Sequence, residues 1–144
     1  MIRSLIAILI AVVMGMITAK FIEGMGAAAF PLDVVDAGDI EGLKAAAANA
    51  PFGYKATLIT GWGVAAFIAA AIALAIGKRW APLGWLSAGV IFLLSFITLI
   101  GLPFGLWLLP LSLIVTMGCG WLSIKLLKAT YALETKSTDG GLFS

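Results

Sequence analysis

Two ionisable residues stand where an apolar chain would carry none without a use. Lys20 and Glu23 close a long apolar run, three positions apart. That spacing sets both on one helical face, where ammonium and carboxylate can pair. At membrane depth such a pair can serve a proton, an ion or a partner. Lys20 lies about 25 Å along a helix from Ser4, near the far headgroup level, where ionisation is cheap. The favoured reading is therefore a structural pair, with an ion or partner site as the alternative. Glu23 also continues the four-residue spacing of Ala7, Ala11, Gly15 and Ala19, so it is expected to face the neighbouring helices.

The remaining residues offer little chemistry. There is no histidine, which removes the commonest general base and metal ligand. The single cysteine, Cys119, admits no intramolecular disulfide and no thiolate cluster. Between Gly118 and Gly120 it reads as a small apolar residue. No catalytic residue, metal or cofactor is expected. An enzyme would have to work with Glu23, Asp33, Asp36 or Asp39 and no evident nucleophile. The pairs Gly24–Gly26, Gly61–Gly63 and Gly118–Gly120 follow no strand and are not dinucleotide fingerprints. A net charge of +2 without a basic stripe excludes a nucleic-acid partner.

Small residues recur at four-residue spacing. The first apolar run carries Ala7, Ala11, Gly15 and Ala19, and the second Gly61, Ala65, Ala69, Ala73 and Gly77. Such ridges let membrane helices approach closely, which is how they associate without a hydrophobic driving force. Packing inside one bundle is the favoured role; self-association or docking on a larger complex is the sharper alternative. Ser112, Thr116 and Gly120 read the same way on the last run. Pro103 and Pro110 are expected to make a tight turn, with Pro110 kinking the first turns of the last helix. A broken helix at a binding site is the alternative.

The elements that must position these residues follow from composition. The chain has 144 residues, 62% hydrophobic and 11% charged. Soluble domains are roughly 45–50% apolar and about 25% charged. Too little polar surface remains to coat a water-soluble globule, and disordered chains are poor in apolar residues. Uncharged or nearly uncharged runs cover about 4–23, 56–77, 82–101 and 106–128. They predict an all-α membrane protein of four transmembrane helices in a single domain, 1–144. Barrel strands would alternate instead. Arg3 and the apolar run after it also fit a secretory leader. Cleavage after Ala19 would place Ile17 where a small residue is preferred, and the helix continues to Phe30-Pro31. A retained span is favoured.

The loop 24–55 is the only sizeable extramembrane piece. It carries a short helix from Ile40 to Asn49, with Asp39 as its cap and Glu41 in its first turn. Pro51 ends it. This helix is expected at the membrane surface, and Phe52 and Tyr54 anchor the next span. The segment 129–144 is a cytoplasmic tail. Orientation follows the lysines and arginines. Arg3, Lys78, Arg79, Lys125, Lys128 and Lys136 fall on one side, and Lys20, Lys44 and Lys55 on the other. Both termini are therefore expected in the cytoplasm. Trp80, Trp85 and Trp121 fit the inner interface, and Trp62 and Trp107 the outer one.

The order of features resembles a group of small, mostly uncharacterised four-helix proteins of the bacterial inner membrane. The matching residues are Glu23 and Gly26, Phe30-Pro31, Asp39-Ile40-Glu41 through Ala50-Pro51, then Pro103 and Trp107. The family often has a histidine between two prolines at the last turn, where this chain has Pro103-Phe104-Gly105. The resemblance implies topology and location, and no activity. Small multidrug exporters also have four helices but rely on a glutamate deep in the first; residues 4–19 here are uncharged. The expected function is a non-enzymatic accessory, assembly or stabilising component, partnered by the lipid bilayer and a larger membrane complex or a second copy. The rival is a small homo-oligomeric transporter or channel using the Lys20–Glu23 region.

Overall fold

The computed structural model describes residues 1–31 and 38–131. Asp33, Asp36, Lys136 and the tail from 132 onward lie outside the described residues. Five helices occur in order: α1 (Ile2–Ala29), α2 (Ile40–Ala48), α3 (Phe52–Ile76), α4 (Ala81–Gly101) and α5 (Leu108–Leu126). There are no strands among the described residues. α1, α3, α4 and α5 are each long and apolar enough to cross a membrane.

The ends of the helices follow local chemistry. α1 runs on past the end of the span at 23 to Ala29, as expected from the lack of a proline before Pro31. Phe30 N–H donates to Gly26 O at 2.8 Å, and Pro31 has no N–H to extend the ladder. At 28 residues α1 is about 42 Å long, more than the roughly 30 Å of a hydrocarbon core. α3 starts at Phe52, where the N–H groups of Tyr54 and Lys55 donate to Pro51 O. α5 starts at Leu108, later than the expected 106, because Leu108 N–H first closes a turn onto Gly105 O. Pro110 is thus third in the helix, where an N–H has no helical partner to lose. The expected kink is not required. Asp39 stands at the start of α2, yet its side chain makes no capping hydrogen bond. Its carboxylate lies over Gly42 instead.

α3 is the hub. It packs against α1, α4 and α5; α1 also touches α4, while α1 and α5 do not meet. Close approach is carried by small residues. A Cβ on Gly15 would stand 3.0 Å from Ala65 O and 3.1 Å from Ala69 Cβ. One on Gly61 would meet Ile22, one on Gly63 Val115, and one on Gly120 the Cβ of Ala88 at 2.6 Å. These pairings make α1 and α3 antiparallel, α3 and α5 parallel, and α4 and α5 antiparallel. Around the contacts, Leu58, Ile59, Leu83, Ile91 and Leu108 fill the core.

Trp62 departs from its expected interfacial position. It is 2% exposed and lies in the core. α3 is covered by three other helices, so a side chain near its start still points into protein.

Candidate functional site

Lys20 and Glu23 sit in the α1 turns that lead toward the loop. Lys20 Nζ donates to Glu23 Oε2 at 2.7 Å. The side chains are 61% and 25% exposed, so the pair occupies the flank of the bundle and not its interior. The buried positions of α1 are Ala7, Ala11, Gly15, Ala19 and Gly26. Gly26, against Thr57, takes the contact that four-residue spacing assigns to Glu23. A helix turns 3.6 residues at a time, so a strict four-residue ridge drifts across its surface. Beside the pair, Tyr54 is buried and its phenol lies within electrostatic reach of the Glu23 carboxylate. The hydroxyls of Thr57 and Thr60 donate to the carbonyls of Gly53 and Ala56 on their own helix. The geometry can hold a charge pair at a helix flank. Among the described residues, no third ionisable side chain makes a hydrogen bond to that pair.

On α3, Gly61, Ala65, Ala69 and Ala73 are buried; Gly77 is half-buried at the helix end, under Leu83. Among the described residues the buried polar side chains are Ser87, Ser95, Ser112, Thr116 and Ser123, none of them charged. No group of three or more His, Cys, Asp or Glu side chains gathers there. Cys119 lies half-buried where α5 faces Gly63.

Three arrangements escape a reading of runs and ridges. The first is a hydroxyl seam between α4 and α5. Ser95 and Ser112 share a hydrogen bond at 2.9 Å, and Thr116 donates to Ser112 O at 2.6 Å. Ser112 and Thr116 were legible as a face of α5; the serines of α4, eight positions apart, were the unread half. The second is an aromatic cluster at the loop end. Phe52 stacks on Trp107 and Tyr54 on Phe104, with centroids 6.3 and 6.0 Å apart. Phe30 lies over Gly53.

The third is a backbone clasp at the opposite end. Thr130 N–H donates to Arg79 O and Ala81 N–H to Thr130 O, both at 2.8 Å. Trp85 Nε1 donates to the Tyr131 hydroxyl at 3.1 Å. The clasp ties the chain after α5 to the α3–α4 turn. Arg3 Nε adds a bond to Ile76 O at 2.8 Å. Comparison with protein-family models, with curated proteins and with solved structures finds no match.

Proposed function

We propose that this integral membrane protein lies in the bacterial inner membrane as a non-enzymatic accessory or assembly component of a larger membrane complex. The observation that carries the reading is the absence of a charged side chain from the bundle interior among the described residues. A carrier working within one copy would need a polar or charged site at membrane depth. The interior holds small residues and uncharged hydroxyls instead, those of Ser87, Ser95, Ser112 and Thr116 hydrogen-bonded, which suits close static packing. α1 adds a second support. It gives one ridge to the bundle and turns Leu5, Leu9, Val13, Ile17 and Phe21 outward, a face suited to lipid or to a partner helix.

Orientation rests on charge. Arg3, Lys78, Arg79, Lys125 and Lys128 gather at the clasp end, and the described carboxylates Glu23, Asp39 and Glu41 belong to the other. The positive-inside rule then sets the clasp and both termini in the cytoplasm and the loop outside. α2 would rest at the outer surface, with Ala46 and Ala47 turned inward. Co-purification of the tagged full chain in mild detergent tests the role. A stoichiometric membrane partner is expected. Recovery only as a lone chain, with no membrane complex altered by deletion, would sink it.

The rival reading is a homo-oligomeric transporter or channel. The exposed flank that carries Lys20 and Glu23 favours it, because a second copy would bury that pair. Ion flux into liposomes holding the purified protein, with Glu23→Gln as control, separates the two. Flux no greater than in empty vesicles removes the rival.

A further inference from the structure

α3 and α5 end in the same way. In each, the residue after the helix cap takes left-handed backbone: Lys78 at φ 56 and Lys128 at φ 49. In each, the next N–H reaches back five residues. Arg79 N–H donates to Leu74 O at 2.7 Å, and Ala129 N–H to Ile124 O at 3.0 Å. This terminus ordinarily takes glycine, since a Cβ is strained at positive φ. The chain has 17 glycines and uses none at either point. Arg79 at φ 59 extends the unusual stretch. Attraction to the helix dipole does not require this position, because a lysine in the last turn, such as Lys125, supplies it. A charged side chain stands at each terminus where the backbone favours glycine.

Beside these termini lies an open pocket of about 620 Å³, lined by Ala75, Lys78, Arg79 and Leu127. Two walls are apolar and two are cationic. Arg3, bonded to the carbonyl of Ile76, stands next to them as a third cation. None of these three cations has an ion-pair partner among the described residues. The clasp through Thr130 holds the backbone of Arg79 in place, beside the pocket.

We propose that this pocket binds the phosphate group of an anionic phospholipid, with Lys78 and Arg79 on the phosphate oxygens and Ala75 and Leu127 against the glycerol and first methylenes. The arginine fork matches two phosphate oxygens, and the lysine adds a point charge. Basic pockets between helices at the cytoplasmic surface take such headgroups. The inference rests on the bundle lying in a bilayer and is independent of any protein partner.

The test uses the full chain in nanodiscs of phosphatidylcholine with and without phosphatidylglycerol. Native mass spectrometry of the released protein counts the lipid retained. The wild type should keep phosphatidylglycerol in preference to phosphatidylcholine. Lys78→Gly and Arg79→Gln should each cut that preference about fivefold. Lys78→Gly suits the local backbone, so its loss of lipid cannot be laid to misfolding. Lys44→Gln, at the other end, should change nothing. Equal retention of both lipids, or a preference that survives the double variant, overturns the proposal. Displacement of phosphatidylglycerol by inorganic phosphate, with the same dependence on Lys78 and Arg79, overturns the lipid assignment. A chain that never enters the bilayer would instead refute the membrane reading.

Discussion

At Gly15 the packing of α1 meets the backbone of α3 closely, and one methyl group there tests it. A Cβ at position 15 would stand 2.9 Å from Ile91 Cδ1, 3.0 Å from Ala65 O and 3.1 Å from Ala69 Cβ. The isoleucine methyl can rotate away. The carbonyl and the alanine Cβ are fixed to α3, so α1 must retreat by a few tenths of an ångström. That movement loosens contacts at Ala7, Ala11 and Ala19 as well. Overpacking of this kind costs about 1–3 kcal/mol, so Gly15→Ala should lose about 2. Gly120→Ala, facing the Cβ of Ala88 at 2.6 Å, should lose as much. Gly24→Ala and Gly118→Ala meet nothing within 4 Å and serve as controls. Alanine favours the helix by roughly 1 kcal/mol over glycine, so the controls should hold or gain stability. Equilibrium unfolding in mixed micelles, followed by the fluorescence of the five tryptophans, reads the differences. If Gly15→Ala unfolds at the same detergent fraction as Gly118→Ala, the small-residue seam is not what holds α1.

Three further expectations concern polar and aromatic contacts. In a double-mutant cycle, Ser95→Ala and Ser112→Ala should show a coupling of about 0.6 kcal/mol, the usual worth of a hydrogen bond between membrane helices. Lys20→Gln and Glu23→Gln should each shift stability by less than about 0.5 kcal/mol, because Lys20 is largely exposed and such pairs are weak. If the pair is a partner contact, co-purification should fall while stability stays. Gly53→Leu should expel the Phe30 ring and raise the rate at which protease cuts the segment between α1 and α3, with the four spans still protected.

The four apolar helices were legible because each is a run with little or no charge, and a membrane leaves no other solution for such a run. Their ends were less so. The continuation of α1 to its cap at Phe30 is the exception, since no proline stands between Glu23 and Pro31. The late start of α5 follows from a turn at Gly105 that composition does not reveal. Which helix lies at the centre was only half visible. α3 is apolar on every side, so periodicity cannot orient it; the ridge of Gly61, Ala65, Ala69, Ala73 and Gly77 could, and all of these but Gly77 are buried. Trp62 was misplaced for the same reason, since a tryptophan near a span end reads as interfacial unless neighbouring helices cover it. The Lys20–Glu23 pair was legible as a pair from its spacing. Its position on the flank was not, because the drift of the ridge from Ala19 to Gly26 depends on how α1 crosses α3. The αL lysines at the ends of α3 and α5 carry no sequence signal, as glycine is the residue one looks for there.

The central claim is a four-span bundle whose clasp end faces the cytoplasm. The native thiol at Cys119 can be removed as Cys119→Ala, leaving a background free of cysteine. Lys44→Cys in α2 and Lys78→Cys at the α3–α4 turn then mark the two ends. An impermeant maleimide applied to intact bacterial spheroplasts should label position 44 at once and position 78 only after the membrane is opened. Labelling at 78 with protection at 44 would invert the bundle. Equal labelling at both positions before opening would contradict the four-span account.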